Sequence, residues 1–418
     1  MTPRKILIIA YTFPPTPGIG GRRWAKFAKY LLRRGHDVRV LTIDNPANTV
    51  SEWYSDVREL EAAGCISFFK SGYPDILGTQ PNTIRQKLAY RLALLYVKLK
   101  LRGNYYDRSA HCKTSLMNTA ERFVQQGYNN VIVTVGPFTY SYFLTDLKKK
   151  YPQINFIVDV RDPWTNNRTS FGYEGLSGKR MELEQMMEKT MAESADYITG
   201  VADDMVNFFT TEYGVTSKKT LTIRNGFDPE DIKTITDTVA DGRLKLIFAG
   251  TVYEKAVKYV DMLVAALQRL KTEDIKAYQL INCEFYGSVP GAFHAIAAKE
   301  PAIVFKGQLP LNEVYGKIAE ADAAMLFLTD DMAYSFSTKF YEYLAMRRPI
   351  LVFSSGGSTG NYVEAHGIGL SLTPQTIDEK LQLAVSLFNS GRLHIPDEYD
   401  TTVFRVDCLV QKFEEILI

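Results

Sequence analysis

Short apolar runs, each followed by a helical period and a turn, recur along almost the whole chain and fix its fold class. Residues 5–11 (Lys5-Ile6-Leu7-Ile8-Ile9-Ala10-Tyr11) form a continuous apolar run ending in a turn, the pattern of a strand buried on both faces of a parallel sheet. Residues 22–34 then place Trp24, Phe27, Ala28, Leu31 and Leu32 at helical spacing, Gly35 stops the helix, and 38–43 make the next strand. The alternation continues at 66–69, 131–135, 156–160 and 197–201. After a strand and turn over 221–228, residues 229–242 are polar and lack a hydrophobic period, which marks a linker. The pattern restarts with a strand at 244–249, a turn at Gly250-Thr251 and a helix over 257–270. Further strands follow at 281–286, 302–305, 323–328 and 350–353. The sequence therefore predicts an α/β protein of two Rossmann-like, doubly wound domains, 1–228 and 229–395. Residues 396–418 are expected to carry a helix that packs back on the first domain.

Length and charge agree with this plan and exclude several function classes. A chain of 418 residues exceeds one ordinary core. A net charge of +2 argues against the strongly basic face that nucleic-acid binding needs. Cys65, Cys112, Cys283 and Cys408 are scattered, which fits a reducing compartment and offers no zinc site. The first apolar run is short and meets Pro14-Pro15, so it is read as a strand rather than a signal peptide. No window approaches the ~20 apolar residues of a membrane span. The expectation is a cytoplasmic protein.

Chemistry concentrates at four turns. Ser337-Thr338-Lys339-Phe340-Tyr341-Glu342-Tyr343-Leu344-Ala345 opens a helix from a small-residue turn, with a strand over 350–353 close behind. Free backbone N–H groups at Ser337 and Thr338, with Lys339, suit a phosphate, and Glu342 one turn later can bind a ribose diol. Together they read as a nucleotide-diphosphate seat. Gly250-Thr251 with Lys255 and Lys258 repeats the glycine–cation theme, and either lysine could face a diphosphate. Near the N-terminus, residues 14–23 place Pro17, Gly18, Gly20, Gly21, Arg22 and Arg23 between the first strand and its helix. That turn suits an anion, although Arg23 replaces the third glycine of a dinucleotide fingerprint. Asp159, Arg161 and Asp162 leave the carboxyl end of a strand, where they could orient an acceptor hydroxyl or take its proton. The other reading of these three is a buried ion pair that pins the loop. Gly136 and Pro137 lie on the parallel edge.

Residues 85–108 interleave Lys87, Arg91, Lys98, Lys100 and Arg102 with leucines and Tyr96. Such a helix either lies peripherally on an anionic membrane or packs one wide face with snorkelling cations. No aspartate pair has D-x-D spacing and no hydrolase triad motif is present, so no catalytic metal and no cofactor are expected.

Taken in order, these motifs resemble the GT-B glycosyltransferases, specifically their GT4-like group. Ile6-Leu7-Ile8-Ile9-Ala10-Tyr11, Phe13-Pro14-Pro15, Gly20-Gly21-Arg22-Arg23-Trp24 and Arg161-Asp162-Pro163-Trp164 carry the first half of the resemblance. Arg224-Asn225-Gly226-Phe227-Asp228, Phe248-Ala249-Gly250-Thr251 and the Ser337–Ala345 stretch carry the second. The resemblance implies two domains facing across a cleft, an acceptor on the first and a nucleotide-sugar donor on the second. It implies transfer of a sugar to a glycan or lipid-linked hydroxyl, with the anomeric configuration retained. Glu342 matches the second glutamate of the family's E-x7-E motif, and Tyr334 stands at the first. Thr251 takes the position of the family's arginine, leaving Lys255 or Lys258 as the cation. A nucleotide-sugar epimerase or hydrolase, and a non-catalytic subunit of a polysaccharide assembly system, are the rival readings.

Overall fold

The computed structural model describes residues 2–16, 19–44, 54–78, 80–100, 107–166, 173–232, 242–332 and 336–418. Pro17, Gly18, Tyr334 and residues 101–106 lie outside the described residues, as does most of the expected linker.

The chain divides into two compact units, Met1–Arg224 with Leu409–Ile418, and Asn225–Cys408. The first holds a seven-stranded sheet in the order β3-β2-β1-β4-β5-β6-β7. Its strands are β1 (Lys5–Ala10), β2 (Asp37–Ile43), β3 (Ile66–Phe69), β4 (Asn130–Val135), β5 (Asn155–Val160), β6 (Tyr197–Gly200) and β7 (Thr220–Thr222). Every neighbouring pair is parallel. Unbroken burial along β4 and β5 reflects helices on both faces, as their continuous apolar runs require. Strand order reverses between β1 and β4, so a crevice is expected outside the carboxyl ends of those two strands.

The second unit has a six-stranded sheet in the order β10-β9-β8-β11-β12-β13. Its strands are β8 (Leu244–Thr251), β9 (Ile281–Ser288), β10 (Ile303–Gly307), β11 (Ala323–Phe327), β12 (Ile350–Phe353) and β13 (Gly369–Leu372), again all parallel. Its order reverses between β8 and β11. Gly250-Thr251, expected as a turn, instead complete β8 and pair with Gly287 and Ser288. β13 was not anticipated: its four residues include Gly369 and Ser371, too few and too polar for a recognisable run.

The expected boundary at 228/229 falls at 224/225. The reason is a bridge within the second unit: Phe227 N–H donates to Phe404 O at 3.0 Å, and Val406 N–H donates to Phe227 O at 3.0 Å. The tail expected to begin at 396 likewise stays with the second unit until Cys408, anchored by Arg347 on the Pro396 carbonyl. It crosses within the helix Val406–Glu414.

From Leu409 the tail closes the amino edge of the first sheet. Phe413 is fully buried, edge-on to Trp24 at 5.2 Å. Glu414 accepts from Arg34 Nε at 2.7 Å and lies 2.7 Å from His36 Nε2. Asn130 and Asn155, at the starts of β4 and β5, donate to the carbonyls of Ile418 and Ile416. The amino edge is thus covered by the protein's own chain.

Phe413→Ala should remove about 3–5 kcal/mol from the first unit. No tryptophan falls within 225–408, so the urea midpoint read by tryptophan fluorescence reports the first unit. No helix among the described residues is long and apolar enough to cross a membrane.

Candidate functional site

The second unit gathers its polar groups where the strand order reverses. At the carboxyl end of β8, Gly250 has φ +147°, and its partner Gly287 on β9 has φ +116°. A side-chain carbon on Gly287 would strike the Gly250 carbonyl, so the close approach of these strands requires glycine. A side-chain carbon on Gly250 would overlap Lys339 Cε, because the Lys339 side chain lies directly over that α-carbon.

Lys339 comes from the first turn of the helix Thr338–Ala345. Phe340, Tyr341, Tyr343 and Leu344 on its inner face pack in a core with Ile247, Leu326, Ile350 and Val352. Tyr343 Oη also accepts from Ala249 N–H at 3.2 Å, which ties the helix to β8 one residue before Gly250. Burial pushes the Lys339 ammonium below the usual lysine range, with Glu342 opposing the shift. Ser337 caps this helix in extended conformation, yet its side chain makes no capping hydrogen bond. Its Oγ is buried and has no partner among the described residues. A buried hydroxyl and a desolvated ammonium therefore share one helix N-terminus, a combination that costs stability unless an anion is bound.

The other expected cations are placed differently. Lys258 Nζ is 2.7 Å from Asp330 Oδ2, and Tyr259 donates to Asp330 Oδ1 at 2.7 Å. These bonds bring the Asp330 carboxyl down to about 2. Lys258 is thus already neutralised. Lys255 and Thr251 are exposed, and Thr338 is exposed on the same helix as Lys339. Of the three lysines, Lys339 alone lacks a hydrogen-bond or ion-pair partner among the described residues. Sequence reasoning passed over Ser354-Ser355-Gly356-Gly357, which follows β12 and leads into the helix Ser358–Ala365. Ser355 is held by Tyr259 Oη, linking this turn to Asp330. The signal was a glycine pair directly after a buried strand.

In the first unit the crevice between β1 and β4 is built around Arg161. Its Nη1 donates to the Gly20 carbonyl and its Nη2 to the Gly136 carbonyl, the latter at 2.8 Å. Arg161 is therefore a staple between two turns rather than a free acceptor-binding cation. The guanidinium also fills the space over Gly20 and Gly136, 3.2 Å from where either would carry a side chain. A side-chain carbon on Gly21 would come within 2.8 Å of the Phe13 α-carbon and 2.9 Å of the Thr12 carbonyl oxygen, so its missing side chain serves packing rather than ligand approach. Arg22 begins the helix Arg22–Arg33.

Asp159, expected to face an acceptor, is fully buried. It accepts from Trp24 Nε1 and Thr199 Oγ1, both at 2.7 Å, and from Arg23 Nε and Nη2 at 3.3 Å. Its oxygens are committed to the core. Asp162 differs: burial raises its carboxyl above the usual range, against the pull of Arg161. It makes no hydrogen bond among the described residues, and its Oδ2 lies close to Gly136.

Glu184 and Glu188, on the helix Gly178–Ser194, hold Trp164 and Thr165, the residues that follow Asp162-Pro163. Trp164 Nε1 donates to Glu184 at 2.7 Å, and Thr165 N–H donates to Glu188 at 3.3 Å. Neither glutamate carried a sequence signal, because their partners lie about a helix length away along the chain.

Comparison with known proteins places this geometry. Residues 243–388 match the family model described as Glycosyl transferases group 1. No curated protein matches the sequence. A glycosyltransferase structure from Rickettsia africae is similar over 99% of this chain and 98% of its own, with TM-score 0.61 and 14% identity. WaaG, a glycosyltransferase involved in lipopolysaccharide biosynthesis, is similar over 99% of both chains, with TM-score 0.55 and 14% identity. The UDP-GlcNAc 2-epimerase of Methanocaldococcus jannaschii shares the fold over 98% of both chains, with TM-score 0.54 and 10% identity. The chain thus has the GT-B fold of two Rossmann-like domains, and the stretch 243–388 within its second unit is similar to the Glycosyl transferases group 1 family model.

Proposed function

We propose that this protein transfers a glycosyl group from a nucleotide-diphosphate sugar to a hydroxyl acceptor, a glycan or lipid-linked saccharide, with retention at the anomeric carbon. The observation that carries this reading is Lys339, a desolvated ammonium without a hydrogen-bond or ion-pair partner among the described residues, set over Gly250 at the strand-order reversal of the second unit. The donor's diphosphate binds between Lys339, the Ser337 hydroxyl and the N–H groups of the first helical turn, with Glu342 on the ribose. The bond from the anomeric carbon to the diphosphate breaks with its electron pair going to the diphosphate oxygen. Positive potential fixed in place before the reaction stabilises that developing charge. The acceptor oxygen bonds to the anomeric carbon, and its proton passes to the departing diphosphate. Asp162, in the first unit next to Gly136, receives the acceptor's hydroxyl by hydrogen bonding.

Incubation with a panel of nucleotide-diphosphate sugars and saccharide acceptors tests the reading. Nucleoside diphosphate should be released only when a suitable acceptor is present, and NMR should show the new linkage with the donor's anomeric configuration. Release of free sugar, or an epimerised donor, without any acceptor would reassign the protein to the epimerase and hydrolase reading that shares its fold. Binding without turnover would point to a non-catalytic subunit.

A further inference from the structure

The helix Ile84–Lys100 has two apolar faces, and only one is used by the fold. Val97 is buried, Tyr90, Ala93 and Leu94 are partly so, and the Tyr96 ring stacks on His111. The opposite side carries Ile84, Leu88, Leu92, Leu95 and Leu99. Their spacings of four, four, three and four residues align them in one stripe along the helix. All are exposed, Ile84 at 87% and Leu99 at 77%. Soluble surfaces rarely leave so long an apolar stripe uncovered.

The charged residues of this helix are Arg85, Lys87, Arg91, Lys98 and Lys100, and it contains no Asp or Glu. By helical spacing Lys87, Arg91 and Lys98 form a row beside the stripe.

We propose that this face docks the protein on an anionic lipid bilayer, with the leucine stripe at the acyl–headgroup boundary and the cation row on lipid phosphates. Charge selects this occupant. A second copy of the helix would bring like charges together, whereas a bilayer offers negative charge along its whole length of ~25 Å. The inference does not rest on the sugar chemistry, and neither does its test.

The full-length protein is sedimented with vesicles of phosphatidylcholine alone, or of equimolar phosphatidylcholine and phosphatidylglycerol. It should pellet with the anionic vesicles only and be released by added salt. Lys87→Gln with Arg91→Gln, both on the exposed surface, should lower partitioning about 30-fold while leaving tryptophan fluorescence unchanged. Leu92→Glu with Leu95→Glu should abolish it. Failure of the wild-type protein to pellet would overturn the proposal, as would unchanged partitioning in both variants. A wild-type dimer that Leu92→Glu with Leu95→Glu converts to a monomer, without vesicle binding, would show that a second copy covers the stripe instead.

Discussion

Replacing Lys339 by methionine should lower glycosyl transfer by roughly 10²–10³-fold, the scale on which losing one preorganised positive group acts. Methionine preserves the volume over Gly250 and removes only the charge. The stronger check is pH. Burial lowers the Lys339 pKa, so the charged form costs more here than in a free lysine, and that cost is present in full below the lowered value. A bound diphosphate stabilises the ammonium and raises its pKa again. Above the lowered value, binding must therefore take up a proton, and nucleoside-diphosphate affinity should fall as pH rises, starting below the usual lysine range. Calorimetric titration across pH should show this fall in the wild-type protein and its absence in Lys339→Met. Gly250→Ala should weaken the same binding, by driving a methyl into Lys339 Cε at a φ of +147°. Wild-type affinity and an unchanged pH profile in Lys339→Met would remove the assignment.

Asp159→Ala should destabilise the first unit by about 3–5 kcal/mol, the cost of breaking a buried ion pair from one side. Trp24 Nε1 and Thr199 Oγ1 lose their acceptor, and Arg23 loses its carboxylate partner while still donating to the carbonyls of Ile223 and Arg224. Urea unfolding read by tryptophan fluorescence measures the loss. Asp162→Asn, three residues on, is the contrast. Its carboxyl is already raised by burial, so removing its charge should leave the midpoint unchanged or move it upward. A stable Asp159→Ala protein would return Asp159 to the acceptor site, where sequence reasoning first put it.

That pair marks where the sequence stops being legible. Strand–helix alternation revealed twelve of the thirteen strands among the described residues, because a strand buried on both faces must be apolar without interruption. β13 escaped because Gly369 and Ser371 leave it no such run. The turns were found for a similar local reason: glycine and lysine at a strand end stand out in the sequence itself. What those side chains face was not visible. Arg161 meets the carbonyls of Gly20 and Gly136, and Lys258 meets Asp330 far along the chain. Such pairings are set by which strands lie side by side, and spacing along the chain does not record that. Lys339 was recognised because helix start, cation and carboxylate sit within six residues of one another. Ser337 gained weight only from its burial, since a serine at a helix start is ordinarily a satisfied cap.

The return of residues 409–418 makes the second unit an insertion within the first. During synthesis the 225–408 segment can complete its own sheet while the earlier strands still lack Phe413 and the carbonyl partners of Asn130 and Asn155. The first unit to be translated is therefore the last to be finished. Removing residues 409–418 would injure the N-terminal fold while sparing the sheet that carries Lys339.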